Sequence, residues 1–95
     1  MKYNCLIEKG NKEFFRATGV GIGKFKKYRE RFIEFRKRTR RARCLEPDDE
    51  LLLYFIRKKR GMPFRDLSRE FLISKSSANK IFLEISNFFE LIRTT

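Results

Sequence analysis

Phe64-Arg65-Asp66-Leu67-Ser68-Arg69-Glu70-Phe71-Leu72-Ile73-Ser74-Lys75-Ser76-Ser77-Ala78-Asn79-Lys80-Ile81-Phe82 carries two helical patterns separated by a break. Phe64, Leu67 and Phe71 recur at spacings of three and four, so they share one side of a short helix that Pro63 can open. Ser68 is small enough for close packing. Leu72-Ile73-Ser74 reads as a tight turn, and the Ser74 hydroxyl suits a helix N-cap. A second helix follows over about 75–92, with Ala78, Ile81, Phe82, Ile85, Phe88, Phe89 and Ile92 on the helical period. A short helix, a tight turn and a capped helix make the layout of a helix-turn-helix. Leu67, Ser68, Phe71, Ile73, Ala78 and Ile81 form its joint.

Upstream, Leu45-Glu46-Pro47-Asp48-Asp49-Glu50 is a strong helix start. Pro47 lacks an N–H where none is needed, and the three acids favour the positive end of the helix dipole. Leu51-Leu52-Leu53-Tyr54-Phe55-Ile56 is apolar nearly all round, which predicts a central core helix. Arg57-Lys58-Lys59-Arg60 and then Gly61 suit its C-terminus. Farther upstream, Phe25, Tyr28, Phe32 and Phe35 predict an amphipathic helix over about 22–40, its aromatic stripe in the core and a cationic back outside. Residues 11–17 read as two helical turns ended by Thr18-Gly19, and Gly19, Gly21 and Gly23 as a hinge between helices. Residues 2–7 are at most extended. The fold class is therefore all-α: one compact unit of four or five helices.

Charge divides the chain. Residues 1–45 hold 15 Lys/Arg against 4 Asp/Glu, and residues 46–95 hold 9 against 8, giving the net +12. We read 1–45 as a basic helical region and 46–95 as the helix-turn-helix module. Such a balance favours a polyanionic partner, nucleic acid above all. Arg36-Lys37-Arg38-Thr39-Arg40-Arg41-Ala42-Arg43 has six cations and no acid. Arg36, Lys37, Arg38, Arg40, Arg41 and Arg43, with Arg65, are the candidate phosphate contacts. Lys75, Ser76, Ser77, Asn79 and Lys80 project from the start of the last helix. Their chemistry suits a major groove: Asn pairs with adenine, Lys with guanine or phosphate, and Ser with either.

The two cysteines, Cys5 and Cys44, lie too far apart for a zinc site, and there is no histidine. They are expected to be reduced thiols without a special role, and no cofactor is expected. No nucleophile–base pair or phosphate-cradling glycine loop is present, so this chain is not expected to be an enzyme. No apolar run is long enough to span a membrane, and the N-terminus does not read as a secretion signal.

Leu45–Leu53, Phe64–Ser68 and Phe71–Phe82, with Phe14-Phe15-Arg16-Ala17-Thr18-Gly19-Val20 and Phe25 as a lead-in, resemble the helix-turn-helix ahead of the catalytic domain in DDE transposases of the insertion-sequence and Harbinger types. The resemblance implies binding to transposon terminal repeats through Lys75, Ser76, Ser77, Asn79 and Lys80. It implies a nuclease domain that these residues do not include, which is a candidate partner alongside self-association. It also implies a nuclear place in a eukaryote, or the cytoplasm and nucleoid in a prokaryote. The turn position usually held by glycine is Leu72 here, so either the turn differs or the module is slightly degraded. Two other readings stay open: an RNA-binding protein using the arginine-rich stretch, and an interaction or dimerisation module using Phe88, Phe89 and Ile92.

Overall fold

Helices in this chain begin and end where local chemistry dictates. A computed structural model describes residues 2–38 and 45–93, with side chains from Cys5 onward. Among the described residues all regular structure is helical: α1 (Lys2–Glu8), α2 (Asn11–Thr18), α3 (Ile22–Lys37), α4 (Pro47–Arg60), α5 (Phe64–Phe71) and α6 (Lys75–Arg93). Helix α2 stops at Gly19 (φ 80°), whose left-handed backbone returns its N–H to the Phe15 carbonyl. A Cβ there would also meet the Lys59 side chain at 3.4 Å. Helix α4 starts on Pro47 and ends at Gly61 (φ 64°), as its end signals predict.

The corner between α2 and α3 is pinned by side chains. The Thr18 hydroxyl donates to the Phe14 carbonyl at 2.8 Å and accepts the Val20 N–H at 3.2 Å. Asn11 Oδ1, from the start of α2, accepts the Ile22 N–H at 3.0 Å and so satisfies an otherwise orphan donor at the start of α3. Gly19 and Gly21 belong to this corner, whereas Gly23 lies inside the first turn of α3.

Helix α4 is the axis of the molecule, and α1, α2, α3, α5 and α6 all pack on it. Leu51, Leu52, Leu53, Tyr54 and Phe55 are buried in succession, covering every side of a helix with 3.6 residues per turn. The aromatic stripe of α3 faces inward as expected, with Phe25 and Phe32 fully buried. Phe25 meets Phe14 edge-on at 5.1 Å, and Phe32 meets Phe88 at 5.3 Å. Burial of each such ring contributes about 1.5–3 kcal/mol. The basic first half and the helix-turn-helix half thus share one core.

One expectation is corrected here, and the residues of one open alternative lie largely in the core. Residues 2–7 are helical, not extended. Neighbours Leu6 and Ile7 both rest on the core, which a helix allows. A strand would point them to opposite faces, with no neighbouring strand among the described residues to take its backbone groups. Phe88, Phe89 and Ile92 do not form an open interaction face. Phe88 is buried against Phe32 and Phe35, Phe89 is held by Tyr28, Tyr54 and Phe55, and Ile92 is half-buried on the same core. Leu91 is the large apolar side chain left exposed at that end.

Candidate nucleic-acid interface

Helices α5 and α6 are joined by a tight turn held by backbone hydrogen bonds. Leu72 and Ile73 both donate their N–H groups to the Ser68 carbonyl, closing α5. This geometry puts Leu72 at φ 56°, ψ 45°, the left-handed conformation that the sequence makes costly. The turn keeps its shape without glycine, so strain at Leu72 is accepted. No packing offsets it, because the side chain is 91% exposed. Leu72→Gly is expected to raise stability by about 1 kcal/mol, the left-handed penalty less the entropy glycine adds to the unfolded chain. Thermal denaturation checks this, with an unchanged or lower melting temperature counting against it.

Ser74 caps α6 as expected: its Oγ accepts the Ser77 N–H at 3.0 Å and its hydroxyl donates to Ser77 Oγ at 2.9 Å. Ser77 is half-buried and belongs to this cap as well as to the expected reading set. Beyond it, Ala78, Ile81, Ile85 and Phe88 turn inward. Lys75, Ser76, Asn79 and Lys80 are all exposed, on the side that the helical period places away from those residues. Leu83 continues this outer face one turn past Asn79 and is also exposed. Sequence reasoning missed it, although its spacing of seven from Ser76 was the available signal. Phe64 and Phe82 lock α5 to α6 edge-on at 5.7 Å, and the Arg57 guanidinium lies over the Phe64 ring at 4.4 Å.

The candidate phosphate contacts separate into groups. Arg38 and Arg65 are exposed, and so is Lys37. Lys37 and Glu34 pair at 3.1 Å, and Arg65 and Asp66 at 3.9 Å, on open surface. Such pairs contribute little and yield readily to phosphate. Arg40, Arg41 and Arg43 lie outside the described residues, as does Cys44; Cys5 is an exposed free thiol. Arg36 departs from the expectation. Its side chain is only 16% exposed, with Nε 3.5 Å from Glu50 Oε1, and it reaches the Leu45 carbonyl at 3.4 Å. A guanidinium committed to a buried carboxylate and a carbonyl is poorly placed to hold phosphate.

The acids at the start of α4 do more than complement its dipole. Asp49 and Glu50 are buried, and Asp48 lies 3.5 Å from Arg29. Burial pushes the Asp48 carboxyl above the ordinary carboxylate range, and Arg29 offsets part of that rise. Two arginines of the basic α3 are therefore internal ties to α4.

Among the described residues no cluster of three or more His, Cys, Asp or Glu is placed to hold a metal ion. No helix among them is long and apolar enough to cross a membrane. A family model described as the helix-turn-helix of DDE superfamily endonuclease matches residues 43–92, a stretch that contains α4, α5 and nearly all of α6. The match is to the DNA-binding part of that superfamily, not to its catalytic domain. No curated protein and no solved structure matches the chain.

Proposed function

The chain belongs to the helix-turn-helix family of DDE superfamily endonucleases, and from that premise we propose that it binds duplex DNA by laying α6 in the major groove, its natural target being transposon terminal repeats. The observation that carries this reading is the outer face of α6. Ser76, Asn79 and Lys80 stand exposed directly after the Ser74 cap, opposite the buried Ala78, Ile81 and Ile85. Asn79 is the residue best suited to a base edge, through paired hydrogen bonds to adenine. Lys75 and Lys80 serve guanine or phosphate, and Ser76 and Ser77 fix the register. Arg65, Lys37 and Arg38, together with Arg40, Arg41 and Arg43, supply phosphate contacts that set affinity without reading sequence.

Fluorescence anisotropy with a terminal-repeat duplex and a scrambled duplex of the same composition tests this. The wild type is expected to prefer the repeat. Asn79→Ala is expected to lose about tenfold on the repeat and little on the scrambled duplex. Equal affinity for both duplexes would remove the terminal-repeat target, and preference for RNA over both would favour the arginine-rich alternative.

A further inference from the structure

We propose that Leu83 reads the 5-methyl group of a thymine in the major groove, an inference that rests on duplex binding by α6. Leu83 is 54% exposed. It stands seven residues after Ser76, four after Asn79 and three after Lys80, so it shares their face of the helix. From Ser76 to Leu83 the helix rises about 10.5 Å. That fits within the roughly 12 Å width of a major groove. Leu91, 56% exposed on the same helix, stands about 18 Å beyond Asn79 and falls outside that width.

A leucine offers a base edge no donor and no acceptor. Its gain comes only from excluding water and from dispersion contacts, so it discriminates where the groove itself is apolar. On the major-groove base edges that feature is the thymine methyl group. Asn79 and Lys80 flank Leu83 on the helix surface and supply the polar contacts that would hold it over one base step. The polar residues then choose the register, and Leu83 separates thymine from cytosine at its own position.

The test starts with duplexes selected by the wild-type chain from a random library. Each thymine of a selected duplex is then replaced in turn by deoxyuridine, which keeps its pairing and loses only the methyl group. At one position, deoxyuridine is expected to weaken wild-type binding by about fourfold, the value of one buried methyl. Leu83→Ala is expected to bind the thymine and deoxyuridine duplexes equally, at that reduced affinity. Leu83→Asn, which keeps the side-chain length and branching, is expected to lose the methyl preference too. Circular dichroism verifies that both variants are folded, as the exposed position leads one to expect. A methyl preference that persists in Leu83→Ala overturns the proposal, as does wild-type binding with no methyl preference at any position; neither touches duplex binding itself. A wild type that selects no duplex overturns the DNA-binding reading and this inference together.

Discussion

Raising salt from about 50 to about 200 mM is expected to weaken duplex binding by roughly 10³-fold. Lys75 and Lys80 on α6, Arg65 on α5, Lys37 and Arg38 at the end of α3, and Arg40, Arg41 and Arg43 are the cations proposed to meet phosphate. With roughly six engaged, log affinity falls with log salt at a slope near −5, because each neutralised phosphate contributes about −0.9. The arrangement of the helices favours a wide footprint. Phe35, near the end of α3, meets Phe88 of α6 at 5.4 Å, and Phe88 lies about 14 Å along the helix from Asn79. Lys37 and Arg38, which follow Phe35 at the end of α3, therefore lie toward the Phe88 end of α6 and not toward its Asn79 end.

The same structure says which substitutions should leave the slope alone. Arg38→Gln and Arg65→Gln are each expected to flatten it by about 0.9. Arg29→Gln is expected to leave it unchanged, because Arg29 is held by Asp48. Anisotropy titrations at four or five salt concentrations measure these slopes. A wild-type slope shallower than about −2 would show that few of these cations meet phosphate, and an equal loss in Arg29→Gln and Arg38→Gln would show that net charge rather than this placement governs binding.

Which features could be read from sequence follows from the range of the forces behind them. Pro47, Gly61, Ser74 and Gly19 act within one helical turn, so the helices they bound were legible in the chain. The α3 stripe was legible too, because burial of Phe25 and Phe32 needs only a periodic apolar face and something to cover it. Helix α1 was not legible, because seven residues make a marginal helix alone and its stability comes from resting on α2 and α4. Leu72 was recognised as a costly residue for a left-handed turn. That the turn would keep its shape depended on Leu72, Ile73 and Ser68 closing α5 together. The residues proposed to read DNA on α6 stand out by their hydrogen-bonding chemistry, which is why the apolar Leu83 on the same face was not legible. The role of Arg36 was hidden most deeply. Within a run of cations it looks like its neighbours, and only the folding of α3 against α4 brings it to a carboxylate 14 positions away.

That tie leads to the largest stability effect expected of substituting a single charged residue here. Glu50 is 1% exposed and faces Arg36 at 3.5 Å, across the junction of α3 and α4. Removing one member of a buried ion pair leaves the other charge desolvated, which typically costs 3–5 kcal/mol. Because Arg36 keeps some contact with water, the lower end applies, and Glu50→Ala is expected to cost about 3 kcal/mol. For a domain of this size that lowers the melting temperature by roughly 12–24 °C. The pair itself need not be strongly stabilising, since the desolvation of two charges offsets most of their attraction. The double variant Arg36→Met with Glu50→Leu is therefore expected to recover most of the loss, and urea denaturation of Arg36→Met, Glu50→Leu and the double variant measures the coupling. If Glu50→Ala costs less than about 1 kcal/mol, water reaches the pair and Arg36 is again available to phosphate. If the double variant is no better than Glu50→Ala, the loss comes from packing at Glu50 and not from the charge left behind.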